Sequence, residues 1–132
     1  MKVAVLGSTG MLGNYLNSYL KSKFKVVALD RNDIDASTAN VDQITKVLKA
    51  KGLEENDVVV NAIGAIKPRV DELGDLNAIL VNSVFPHYLA TAAKNLKLRL
   101  VHITTDCVFD GLRGQYNEND KHDITDVYGR TK

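Results

Sequence analysis

KVAVLGSTGMLG, residues 2–13, sets the reading of everything after it. A block of apolar residues, Val3 to Leu6, runs straight into three glycines at positions 7, 10 and 13. A continuous apolar block suits a parallel strand covered on both faces, since a strand with one wet face alternates. From Met11 the pattern changes. Met11, Leu12, Tyr15, Leu16, Tyr19 and Leu20 recur at helical spacing and predict a helix with one apolar stripe.

Strand, glycine turn and helix in that order are the context in which a glycine triplet carries meaning; alone it marks any turn. A pyrophosphate needs backbone N–H groups at close range, and a helix N-terminus supplies them with the positive end of its dipole. Gly7 allows the tight turn off the strand, Gly10 lets the backbone approach the anion, and Gly13 lets the helix pack close. Ser8 and Thr9 add hydroxyls, and Met11 and Leu12 place their amides in the first helical turn.

Three more apolar runs follow, at 24–30, 57–65 and 98–105. Helical spacing lies between them. Val41, Ile44, Val47 and Leu48 follow Asn40 as N-cap, with Gln43 three residues on and Gly52 as the stop. A third helix is expected over roughly 75–95, kinked or restarted at Pro86. The order β-α-β-α-β-α-β predicts an α/β fold. We expect a Rossmann-type doubly wound parallel sheet, incomplete, with strand order 3-2-1-4 and a single dinucleotide-binding domain over 1–132.

Composition excludes other classes. Apolar residues are 45%, charged residues 25%, and the net charge is +1, so no broad field draws nucleic acid. No apolar run approaches the roughly 20 residues that span a bilayer, and no signal peptide is read ahead of the first strand, which points to the cytoplasm. Cys107 is the single cysteine, and His87, His102 and His122 are dispersed, so no metal site is expected.

Asp30 closes the second strand, where a carboxylate accepts from the adenosine ribose hydroxyls and favours NAD. Arg31 follows at once, and a guanidinium there grips a 2′-phosphate and favours NADP. The cofactor expected is NAD(P)H, with a slight lean to NADP. Reducing a carbonyl with hydride also needs a proton donor at the developing oxyanion. A tyrosine serves when a nearby ammonium favours its phenolate; its free pKa is about 10. Tyr128 and Lys132 stand at i, i+4, which puts both on one helix face. Thr104 and Thr105 end the fourth strand, at the rim where such sheets bind ligands.

With these residues in this order, the chain resembles the extended short-chain dehydrogenase/reductase superfamily, and within it the N-terminal half of the dTDP-4-dehydrorhamnose reductase family. The likeness rests on VLGSTGMLG (5–13), ALDRNDIDAST (28–38), VVNAIGA (59–65), VNSVFPHYLATAA (81–93), HITTDCVFDG (102–111) and YGRTK (128–132). It implies that Asp35 touches adenine, unless it is a plain acid ahead of a helix. Asn61, Ala62, Ile63 and Gly64 would line the cofactor's other flank. Asn82 would brace the active-site backbone, unless it caps a helix. Thr105 would hold the carbonyl oxygen, with Tyr128 the acid and Lys132 its partner. The implied reaction is reduction of the 4-keto group of a nucleotide-linked 6-deoxysugar.

Cys107 stands where the family often has tyrosine, and no proline precedes Tyr128, so the nucleotide and the sugar stay open. A UDP-amino-deoxysugar reductase or epimerase is one alternative. A cofactor-holding regulatory subunit on the same fold is another. The resemblance also implies a polypeptide about twice this length. These 132 residues alone are therefore expected to bind dinucleotide without turning over substrate, and an exposed sheet edge is expected to favour a homodimer.

Overall fold

The computed structural model describes residues 1–132. Its elements are β1 (Lys2–Leu6), α1 (Met11–Leu20), β2 (Lys25–Leu29), α2 (Val41–Ala50), β3 (Val58–Asn61), α3 (Lys67–Leu73), α4 (Asp75–Ile79), α5 (Phe85–Asn95), β4 (Arg99–His102) and α6 (Val127–Thr131). All three strand pairings are parallel. The fold is an α/β Rossmann-like sheet covered by helices, and no helix is long and apolar enough to cross a membrane.

The strand order is β2-β1-β3-β4, not the 3-2-1-4 read from the sequence. The segment after β2 closes on itself. The Asp30 carboxylate accepts from the Asn32 N–H at 2.8 Å, Asp33 from the Asp30 N–H at 3.1 Å, and Asp35 from the Ser37 N–H at 2.9 Å. Such local bonds satisfy the loop's own backbone. The crossover through α2 passes β1, and β3 pairs on its far side.

That reversal splits the helices between two faces. On one, Leu16 and Leu20 of α1 pack on Val3, Val5 and Val60. On the other, Ile44 and Leu48 of α2 and Phe85 and Leu89 of α5 pack over Ala4, Leu6, Leu29 and Val59. The alternation along β1 is the period-2 geometry of a strand buried on both sides. Because the connections leave β1 and β3 in opposite senses, a crevice opens at the carboxyl ends of these two strands.

Two further expectations are corrected. The α1 stripe is only half buried: Leu16 and Leu20 face the sheet, whereas Met11 is 94% exposed and Leu12, Tyr15 and Tyr19 lie open. Six apolar positions at that spacing make a band wider than one sheet face covers. The helical region also starts earlier than 75, with α3 and α4 preceding a π-helical turn at Leu80–Val84. That turn, closed by the Phe85 N–H on the Leu80 carbonyl, leads into Pro86. Proline has no N–H and crowds the carbonyl four residues back, so one wider turn passes the defect without ending the helix. The Asn40–Gln43 capping box forms on α2 as expected.

Candidate functional site

The glycine turn leaves β1 with Gly7 at φ +77°, a conformation that suits glycine. The Gly10 N–H closes it on the Gly7 carbonyl at 2.9 Å. The first bond of α1 runs from the Asn14 N–H to the Gly10 carbonyl at 2.8 Å. The amides of Met11, Leu12 and Gly13 precede that bond and have no acceptor within the helix. No side chain caps this end of α1. A Cβ on Gly13 would stand 2.0 Å from the Gly7 carbonyl oxygen, so helix and turn meet backbone to backbone. The Ser8 amide is already bonded to the Leu29 carbonyl at 3.1 Å and serves the fold.

A cleft of about 450 Å³ opens from this turn. Gly7, Thr9 and Gly10 form one wall, Arg31, Asp35 and Ser37 one end, and Ala62 to Ala65 the opposite wall. Of the two residues that pointed to different cofactors, Arg31 lines the cleft and Asp30 does not. Asp30 holds its own turn. The Arg31 Nε donates to Asp35 at 3.0 Å, which leaves both terminal nitrogens without a protein partner. Asp35 also accepts from the Ser37 hydroxyl, and this bond first, with the Ser37 amide and Arg31, holds its carboxyl below the usual range. Asp35 thus orients Arg31 as much as it faces the cleft.

Asn61 is buried. Its Oδ1 accepts from the Ile63 N–H at 3.1 Å and shapes the wall from behind. Its amide nitrogen then faces His102 Nδ1 at 3.0 Å, which puts the ring proton on Nε2. Burial first, then the charges of Lys132 and His87, pushes the imidazole below its ordinary range.

Lys132 reaches in from α6. Its Nζ donates to the Ile103 carbonyl at 3.1 Å and stands 3.0 Å from where a Gly64 Cβ would be. Gly64 is thus the floor on which the ammonium sits. Burial lowers the Lys132 pKa. Tyr128 is half-buried, its ring against the Ala65, Val70 and Ala78 cluster. Asn82, 3% exposed, accepts from the Ala65 N–H at 2.8 Å, donates to the Ala65 carbonyl at 3.0 Å and donates to Thr131 Oγ1 at 3.2 Å. The Ser83 hydroxyl donates to the Thr131 carbonyl at 2.6 Å. Asn82 therefore faces away from the cleft and ties its wall to α6.

A second cavity, about 650 Å³, adjoins the far side of Lys132 and includes Thr104, Thr105 and Arg130. Thr105 Oγ1 accepts from the Cys107 N–H at 3.2 Å and donates a long bond, 3.5 Å, to the Asp106 carboxylate. The outer wall is an aromatic cluster: Phe109 stacks on Tyr116 at 4.5 Å and meets His122 edge-on at 5.3 Å. The Cys107 carbonyl would lie 2.2 Å from a Cβ on Gly129, so α6 rests directly on the backbone of that turn.

The fold thus brings Gly7, Thr9, Gly10, Arg31, Asp35 and Ala62 to Gly64 to one cleft, and Thr104, Thr105 and Lys132 to the next cavity. Asp30, Ser8, Asn61 and Asn82 stand behind the walls. Tyr128 lines neither cavity. Sequence reading missed Arg69, Leu73 and Asn77, which close the first cleft, and the anchors of α6. One signal was visible: Asp126, an aspartate just ahead of the Tyr–Lys pair, is the N-cap of α6 and accepts from the Gly129 N–H at 2.7 Å.

Comparison with known proteins agrees with this architecture. The dTDP-4-keto-6-deoxy-D-glucose reductase of Streptomyces niveus is 34% identical over 133 residues, covering 97% of this chain and 43% of that protein. A crystal structure of a dTDP-4-dehydrorhamnose reductase from Clostridium acetobutylicum superposes with TM-score 0.83 at 32% identity, covering 99% of this chain and 46% of the other. The Bacillus anthracis dTDP-4-dehydrorhamnose reductase, solved in complex with NADP, shares the fold with TM-score 0.84 at 23% identity, covering 98% of this chain and 45% of the other. The chain spans less than half the length of these relatives. The family model for the RmlD substrate binding domain matches residues 1–132, and the chain belongs to that family.

Proposed function

We propose that this chain holds NADPH and carries the hydride-transfer centre of a reductase acting on the 4-keto group of a nucleotide-diphosphate 6-deoxysugar. One observation carries the reading: the cleft that opens from the glycine turn and the cavity of Thr105 and Lys132 adjoin at Gly64, where the Lys132 ammonium sits 3.0 Å from the position of a Cβ. The turn fits a pyrophosphate, having free first-turn amides and glycines where side chains would intrude. Arg31 at the cleft's end favours the 2′-phosphate of NADPH over the bare ribose of NADH.

Bound there, NADPH supplies hydride to a carbonyl carbon. The chain's part is to orient the carbonyl and deliver a proton. Thr105 donates a hydrogen bond to the carbonyl oxygen, Tyr128, whose phenol must turn from the Ala65 cluster toward the cavity, gives up its proton to that oxygen, and Lys132 offers the positive charge that favours the phenolate left behind. The half-buried setting of Lys132 strengthens that charge's effect. The Streptomyces niveus and Clostridium acetobutylicum reductases are both named for sugar-nucleotide chemistry, which supports the substrate class. Because the chain spans less than half the length of those relatives, we assign it only the cofactor side of the site.

The test has two stages. NADPH fluorescence is titrated with this chain, and NADPH absorbance is then followed with dTDP- and UDP-linked 4-keto-6-deoxysugars in a polypeptide of the relatives' length. Binding, and turnover that Tyr128→Phe abolishes, is the expected result. Tight binding with no oxidation by any sugar assigns the fold to a regulatory subunit, and no binding removes the reading.

A further inference from the structure

The pair that does the proposed chemistry sits on a five-residue helix, and a turn that short does not hold itself. Three side chains hold it. Asn82 and Ser83 grip its end through Thr131. At its start, the Asp126 carboxylate accepts from the Gly129 N–H with one oxygen and from the Lys67 ammonium with the other, at 2.8 Å. Lys67 is the first residue of α3. The next two turns of α3 present Arg69 and Leu73 to the nucleotide cleft, while Val70 packs in the cluster that also holds Val127 and Tyr128. One short helix therefore touches the cleft with one face and the start of α6 with the other.

We propose that Lys67 is a positioning residue: through Asp126 it fastens the helix bearing Tyr128 and Lys132 to the wall of the nucleotide cleft. An ammonium there has three effects on α6. It fixes the rotamer of the capping carboxylate, so the Gly129 amide keeps its acceptor. It compensates a charge that the N-terminal dipole alone only partly offsets. It also ties α6 to residues that a bound nucleotide would touch. In accord with this, the Asp126 hydrogen bond raises the Lys67 pKa, and the Gly129 amide and then Lys67 hold the Asp126 carboxyl low. This inference rests on the proposed function only for the roles of Tyr128 and Lys132; the fastening itself is a property of the free chain.

Amide hydrogen exchange by NMR tests it on the 132-residue chain. Lys67→Met is expected to speed exchange of the Gly129 and Arg130 amides about two- to five-fold, the range of an exposed ion pair, while amides in β3 keep their rates. Lys67→Arg is expected to restore the parent rates, which loss of packing alone would not do. Saturating NADPH is expected to slow residues 69–73 and 129–130 together in the parent, and to slow only 69–73 in Lys67→Met. Unchanged rates at 129–130 in Lys67→Met, no rescue by arginine, or NADPH that slows 69–73 in the parent with no effect at 129–130 would each overturn the proposal. Failure of NADPH to bind at all strikes the cofactor assignment, and the rates of the free chain still decide this one.

Discussion

Gly13→Ala sets two effects of known size against each other. In an ordinary helix interior alanine gains about 1 kcal/mol over glycine. Here the added Cβ would lie 2.0 Å from the Gly7 carbonyl oxygen, 2.6 Å from its carbon and 3.1 Å from the Ser8 Cα, all backbone atoms. Contacts under 3.0 Å essentially never occur, so α1 or the turn must retreat by about 1 Å. Overpacking of that kind costs about 1–3 kcal/mol, so the net change in stability is near zero to about 2 kcal/mol unfavourable. Binding should suffer more. A retreat of about 1 Å takes a donor from a normal 2.9 Å contact to beyond hydrogen-bond range. Losing one charge-assisted bond costs about 1.5–3 kcal/mol, or roughly 10- to 150-fold in Kd. The assay pairs urea denaturation with NADPH titration. Gly10→Ala is the control for stability alone, since its Cβ would meet only the Gly7 oxygen, at 3.3 Å, and should disturb the fold far less. A Gly13→Ala chain more stable than the parent would refute the packing, and one that binds NADPH as tightly as the parent would refute the phosphate site.

Arg31→Ala should weaken NADPH about ten- to hundred-fold and leave NADH nearly unchanged, read as the ratio of the two dissociation constants; equal losses would move Arg31 away from the 2′-phosphate. Asp57 is buried and accepts from the Lys2 N–H at 2.6 Å and the Glu54 N–H at 3.0 Å. Burial alone would raise its carboxyl, but those amides and the Lys2 charge more than reverse this and hold it low. A depressed carboxyl adds stability above the unfolded pKa, near 3.9, and loses it as pH falls through the folded value. Asp57→Ala should therefore lower stability by about 1–3 kcal/mol at neutral pH, and the deficit in urea melts should shrink in acid. Asn82→Ala leaves the Ala65 N–H and C=O without their partner and frees Thr131; exchange should quicken at 65 and 129–132 before the sheet amides respond. The β4 edge is unpaired and Val101 is 47% exposed beside it, so sedimentation should show self-association rising with concentration, and a clean monomer would count against that.

Much of the site was legible because its signals are local. Three glycines at fixed spacing after an apolar run announce a turn whose bonds lie within eight residues, from Gly7 to Asn14. Asn40 and Gln43 bond each other, and their spacing is the message. The choice between Asp30 and Arg31 was not of this kind. Both follow β2, and only the packed loop shows one carboxylate spent on its own turn and one guanidinium left at the cleft. Asn82 likewise reads as a backbone brace only by resemblance, and by position equally as a cap or a surface residue, until the π-helical turn carries it inward to Ala65 and Thr131, 17 and 49 residues away.

By itself the sequence determined the kind of each strand, the glycine turn and the helical spacing of Tyr128 and Lys132, since these depend on neighbours a few bonds apart. Tertiary structure alone decided that β3 crosses to the far edge of β1, that α3 closes the cleft, and that a five-residue helix stands firm. Those outcomes come from competition among distant surfaces for burial and hydrogen-bond partners, and no short window of residues contains both competitors.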